Sequence, residues 1–176
     1  MILEFKGKTP EIHESSYVAP NSTLIGNLTI AEKCMVLFGA VVRADMNSVS
    51  IGPKCCIQEN AVVHAANDKI VFEGESIVGY NCAVHGGKIG KNAFIGAGSV
   101  LLQGVKIGKE SIIAAGSVLP MNMEVPPRSL VAGVPAKVVR ELGTTDIMGL
   151  NKMAVQGYQM LLREYKKEGN LREVEL

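Results

Sequence analysis

The chain has 176 residues, within the usual size of one domain with a sizeable core, and 18 Lys+Arg against 17 Asp+Glu leave a net charge of +1. That balance, with no long basic run, excludes the electrostatic footprint of a nucleic-acid binder or of a protein drawn to an anionic membrane. The 47% of hydrophobic residues never gather into a membrane-spanning stretch, and Met1–Lys6 lack the apolar core of a secretory signal, so a soluble, cytoplasmic protein is expected.

Along the chain the dominant signal is a period of six. Counting from Val18, aliphatic residues recur at Leu24, Ile30, Val36 and Val42, and again at Ile51, Ile57 and Val63. A third run holds Phe72, Val78 and Val84, and the longest runs from Ile89 through Ile95, Leu101, Ile107, Ile113, Leu119 and Val125 to Val131. Four residues after many of these starts stands a small side chain, among them Ser22, Cys34, Ala40, Cys55, Ala61, Ser76, Cys82, Ala93 and Ser99; glycine often takes the second place. Six fits neither a helix nor a simple alternating strand. It fits a triangular coil in which each hexad gives one short strand and one corner. The large aliphatic then fills the prism, the small residue fits the corner, and glycine is expected to relieve backbone strain at the turn. Stacked coils would pair at the ordinary strand spacing of about 4.8 Å. The period stops after Val131-Ala132-Gly133-Val134-Pro135-Ala136. This predicts a β-solenoid over 1–136 and a helical segment over 137–176. From about Thr144 the apolar residues Leu150, Met153, Ala154, Tyr158, Leu161 and Tyr165 take helical spacing, and the helix is expected to lie along the solenoid.

Four cysteines (Cys34, Cys55, Cys56, Cys82) form no CxxC pair, and without a secretory signal reduced thiols are expected. The chemistry is sought instead where the hexads break register. Nine residues separate Val42 from Ile51 and Val63 from Phe72, so a three-residue loop bulges at each. The second places of the hexads starting at 42, 63 and 84 are Arg43, His64 and His85, each 21 residues from the last, which is one coil plus one insertion. They are expected to stack in one outward column, with the two imidazoles about one strand spacing apart and able to share a metal ion. The plainer reading is two of three histidines aligned on a polar face. Arg43 with Asp45 at the lip of the first loop, and Gln58 in the hexad before His64, supply a guanidinium, a carboxylate and an amide suited to a small anionic or carbonyl substrate. An Arg-Asp pair at a bend can equally be a structural clamp between subunits.

The segments Gly39-Ala40-Val41-Val42-Arg43-Ala44-Asp45, Ile57-Gln58-Glu59-Asn60-Ala61-Val62-Val63-His64, Val78-Gly79-Tyr80-Asn81-Cys82-Ala83-Val84-His85-Gly86 and Val131-Ala132-Gly133-Val134-Pro135-Ala136-Lys137 resemble the γ-class carbonic anhydrase family. The resemblance runs through nearly the whole chain. It implies a left-handed parallel β-helix of hexapeptide repeats with a C-terminal α-helix, assembled as a homotrimer. It also implies a metal held between subunits by three histidines, two from one chain and one from the next. His64 and His85 match the two that share a chain. The implied reaction is reversible hydration of carbon dioxide by a metal-bound hydroxide, with Zn2+, or Fe2+ or Co2+, as the ion and Arg43 assisting the anionic product. Tyr158 matches a tyrosine of the closing helix that reaches the site.

At the third ligand's place stands Tyr80, on a different side of the prism from the histidine column and so directed to the adjacent subunit's site. A phenol must lose a proton of pKa about 10 to ligate well, so this set binds zinc more weakly than three histidines. His13 precedes the repeat, Cys82 points to an interior corner, and the loop Ala65–Val71 carries Asp68 but no glutamate to shuttle protons. Two other classes stay open: a hexapeptide-repeat acyltransferase using acyl-CoA, disfavoured by the short insertions, and a non-catalytic trimeric scaffold that binds a partner or small ligand.

Overall fold

A six-residue period leaves room for only two or three residues of strand per side, and that is what the chain forms. The computed structural model describes residues 1–167. One face of the solenoid stacks Tyr17–Val18, Met35–Val36, Cys56–Ile57, Ile77–Val78, Phe94–Ile95, Ile112–Ile113 and Ser129–Gly133 as parallel neighbours in chain order. A 12-stranded sheet supplies the other two faces, because Thr23–Ile30 and Val41–Ile51 each run on through a corner and belong to both. The second face continues through Val62–His64, Ala83–Val84, Val100–Leu101 and Val118–Leu119, the third through Ile70–Phe72, Gly87–Ile89, Lys106–Ile107 and Glu124–Val125. Partners along the first face lie 18 residues apart (Val18↔Val36), then 21 (Val36↔Ile57, Ile57↔Val78), then 17 (Val78↔Ile95). The two three-residue insertions therefore leave the register intact, as the column arithmetic requires.

Of the nineteen hexad starts, all except Val18 are buried, and the corner residues Ser22, Cys34, Ala40, Cys55, Ala61, Ser76 and Cys82 are at most 1% exposed. The core is one continuous column of aliphatic side chains. Coiling starts before the first counted hexad, within the expected 1–136, since Glu11–Ile12 already pairs with Thr29–Ile30. Three details depart from expectation. The second-place glycines do not sit in left-handed backbone. A Cβ there would lie 2.7 Å from the carbonyl oxygen of the next coil, as at Gly79 (Ile95 O) and Gly96 (Ile113 O), so close stacking rather than turn strain selects them. The left-handed residues stand two places later in the corner, at Lys33, Lys54, Asn60, Glu75, Asn81 and Asn92. Finally, the boundary after Ala136 falls inside a hairpin: Ala136–Glu141 turns back antiparallel on Ser129–Gly133 and covers the last coil. An apolar hexad and an apolar capping strand look alike in sequence.

Thr144–Asp146 opens the helical segment, Ile147–Lys152 is π-helical, and Met153–Tyr165 is α-helical. Its buried stripe is Ile147, Asn151, Val155 and Leu162, whereas Leu150 and Met153, expected inside, are 45% and 64% exposed. Taking the helical phase from Leu150 put the apolar face off by about one residue. Val155 and Leu162 join Met35, Leu37, Cys56 and Ile77 on the outside of the first face, with Tyr17, Tyr158 and Tyr165 around them. Residues 168–176 of the expected helical segment lie outside the described residues. No helix among the described residues is long and apolar enough to cross a membrane.

Candidate active site

Strand pairing builds the histidine column directly. Val41, Val42 and Arg43 lie opposite Val62, Val63 and His64, and Val62 and Val63 lie opposite Ala83 and Val84, which sets His85 on the next rung. The His64 and His85 rings stack with centroids 5.4 Å apart and planes inclined by 25°. Gly86 and Gly87 follow at φ +134° and +111°, and a Cβ on Gly87 would stand 1.7 Å from the Val105 carbonyl oxygen. Only glycine lets the chain leave His85 by this short path and close its 17-residue coil.

Arg43 clamps the column from below. Its Nη1 is 3.1 Å from Asp45 Oδ2 and its Nη2 is 3.1 Å from His64 Nδ1. A guanidinium has no lone pair to offer, so Arg43 donates both bonds, and a neutral His64 must carry its proton on Nε2. That nitrogen lies 3.4 Å from Asp45 Oδ1, is buried and makes no hydrogen bond. Burial first, then the positive charge of Arg43, pull the His64 pKa below its usual value against the opposing pull of Asp45, so the ring is neutral at pH 7. For Asp45 burial opposes ionisation, but Arg43, its own and Met46's backbone N–H groups and His64 outweigh it and lower the pKa.

The remaining expected site residues gather elsewhere. Gln58 does not stand beside the imidazoles of its own chain: it belongs to the first face, is 5% exposed, and its Nε2 donates to the Tyr158 hydroxyl. Tyr158 arrives from the helix, and its hydroxyl is 3.5 Å from that of Tyr80, which is 47% exposed. The reason is the prism itself, since positions six residues apart lie on adjacent sides. Burial, with Tyr80 and the charge of Glu59 adding, raises the Tyr158 pKa, so that phenol stays protonated. With its oxygen taken by Gln58, Tyr158 can donate to Tyr80, leaving the Tyr80 proton free to point outward. Glu59 was passed over in the sequence although it adjoins Gln58; its Oε2 is buried without a partner. The loop beyond His64 is braced by Asn67, which bonds Gln103 at 3.0 Å, while Gln103 reaches Asp68 at 3.4 Å. His13 bonds Ser15 at 2.8 Å near the N-terminal end, and Cys82 donates inward to the Gly96 carbonyl, so neither joins the column.

Among known proteins, a carbonic anhydrase of Geobacillus kaustophilus is 37% identical over 96% of this chain and 89% of its own length. The chain belongs to the γ-class carbonic anhydrase-like family of hexapeptide-repeat proteins. Within that γ-class-like family, a mitochondrial gamma carbonic anhydrase 2 of Arabidopsis thaliana is 32% identical over 84% of the chain and 55% of the relative. The family model described as bacterial transferase hexapeptide (six repeats) matches residues 86–120. A solved hexapeptide transferase family protein from Anaplasma phagocytophilum superposes with a TM-score of 0.89 at 30% identity, covering 94% of this chain and 98% of that one.

No group of three or more His, Cys, Asp or Glu side chains able to hold a metal ion occurs within the chain among the described residues. The imidazoles of His64 and His85 nonetheless stand in one column, and the buried His64 Nε2 makes no hydrogen bond, so once it gives up its proton the pair fits two positions of a divalent ion's shell.

Proposed function

We propose that the protein is a γ-carbonic anhydrase-like enzyme acting on carbon dioxide at sites formed between the chains of a trimer. In each site, Arg43, Asp45, His64 and His85 of one subunit face the Gln58, Tyr158 and Tyr80 group of the next. The stacked pair His64–His85, 5.4 Å between ring centroids, carries the proposal. The membership of the family and the separation of the two residue groups onto different faces support it. His64 and His85 would hold the ion, which when bound supplies acidified water for hydration. Arg43 is placed to receive bicarbonate, as its side chain is 43% exposed and its bonds to Asp45 and His64 use only part of the guanidinium's donor set. Tyr80, facing the neighbouring pair, offers a phenol hydroxyl where a third imidazole would ligate, so turnover is expected to be slow.

Metal analysis of protein purified without a polyhistidine tag, beside chelator-treated protein and Tyr80→His, tests the reading. Transition metal in the native protein and hydration activity lost on chelation support it; Tyr80→His should raise both. A native protein with neither, in which Tyr80→His gains both, would show that the native chain is no longer an enzyme of this kind. Turnover of acetyl-coenzyme A with amine acceptors would instead favour transfer chemistry.

A further inference from the structure

The charges of the chain nearly cancel, yet one groove is strongly one-sided. It runs between the C-terminal helix and the corner where Lys33, Lys54, Glu75 and Asn92 occupy the same left-handed place on successive coils. Side chains there follow one another at about 4.8 Å. The helix faces them with a stripe at helical spacing, Lys152, Gln156, Gln159 and Arg163, while Tyr158 lies on the flank turned to Gln58. The groove holds about 870 Å3, and its wall includes the buried Val155 and Leu162. That volume and an apolar wall suit a small organic ligand rather than a bare ion.

Among the described residues, six cationic side chains line it against one carboxylate, Glu75. Glu75 is divided between Lys54 at 3.8 Å and Lys91 at 3.6 Å. Lys167 is spent on Glu164, and Lys166 on the carbonyl oxygens of Glu14 and Ser16. Lys33, Lys152 and Arg163 have no carboxylate partner among the described residues. Lys33 and Lys54 on adjacent rungs repel each other, as like charges on neighbouring strands do. Cations concentrated in a concave, low-dielectric groove focus field on its interior. None of this was visible as a basic run, because the residues come from segments over a hundred positions apart.

We infer that this groove binds a phosphorylated small molecule of nucleotide size, with phosphates on Lys33, Lys54, Lys152 and Arg163 and its uncharged body against Val155 and Leu162. The inference is independent of the carbon dioxide reading, since no residue of the histidine column lines the groove.

Calorimetric titration of the full chain with ATP, adenosine and pyrophosphate, without divalent ions, tests it. ATP should saturate the groove at one per chain and bind at least tenfold more tightly than either fragment. Lys33→Glu with Arg163→Glu should weaken ATP at least tenfold, whereas Lys8→Glu with Lys137→Glu, both exposed and outside the groove lining, should leave it unchanged. Both variants should keep the wild-type circular dichroism spectrum, and Lys33→Gln with Arg163→Gln, which avoids reversing charge, should weaken ATP by a smaller factor. No saturation at millimolar ATP, equal loss in the Lys8→Glu with Lys137→Glu variant, or equal affinity for pyrophosphate overturns the assignment.

Discussion

Arg43 holds His64 in a state that competes with metal. With Nδ1 accepting from the guanidinium and Nε2 carrying the proton, an ion approaching either nitrogen must displace a hydrogen bond or a proton. Arg43→Met keeps the aliphatic stem and removes the donors and the charge. Zinc affinity measured against a chromophoric chelator should rise about tenfold, equivalent to about 1.4 kcal/mol, while any hydration activity falls. An unchanged or weaker zinc affinity would mean that the clamp does not compete. At this scale the sequence was legible wherever the repeat could count: the 21-residue steps placed Arg43, His64 and His85 on one column. It was not legible for Gln58, whose bond to Tyr158 bridges residues 100 positions apart and depends on how the helix is rotated.

The C-terminal helix is that rotated element, and it is held at both ends. At its start Arg140 grips Asp146 with two bonds of 2.8 and 2.9 Å, and Asp146 also accepts the Gly143 N–H. These contacts hold the Asp146 pKa at about 2, below the usual 3.8. A depressed carboxyl pKa stabilises above the unfolded value and is lost as pH falls toward the folded one. Helix content followed by circular dichroism should therefore loosen between about pH 4 and pH 2, and Arg140→Gln should move that loosening to higher pH. Along its length the helix rests on Val155 and Leu162. Leu162→Ala should cost roughly 2–5 kcal/mol of stability in chemical denaturation and free Tyr158 from Gln58. A loss under 1 kcal/mol would mean the helix is not docked as described. The helical periodicity announced this element, but its phase did not follow from Leu150 and Met153, because the π-helical turns at Ile147–Lys152 change the residues per turn.

For the whole molecule the period of six fixed the solenoid, its core and the insertions, since one violated hexad would break the stack above and below it. What the period could not reveal is anything assembled across faces. Each chain carries the histidine column and the Tyr80 group on different sides, so the proposed chemistry depends on association. Static light scattering should give three chains per particle, and a stable monomer would separate the two groups and remove the basis for a shared site. Mixing chains that carry Tyr80→His together with His64→Ala with native chains should give tighter metal binding than either provides alone, because the column of a native subunit then meets the substituted position of the next.

The strand Ala136–Glu141 gives this architecture a length. A parallel coil ends in a row of unpaired amide and carbonyl groups matched to another coil of its own kind, which is an invitation to continue. By running the other way, this strand offers the next molecule a reversed pattern, with Arg140 and Glu141 on it. It acts as a full stop in a repeating text, and without it seven coils would have no structural reason not to become a fibre.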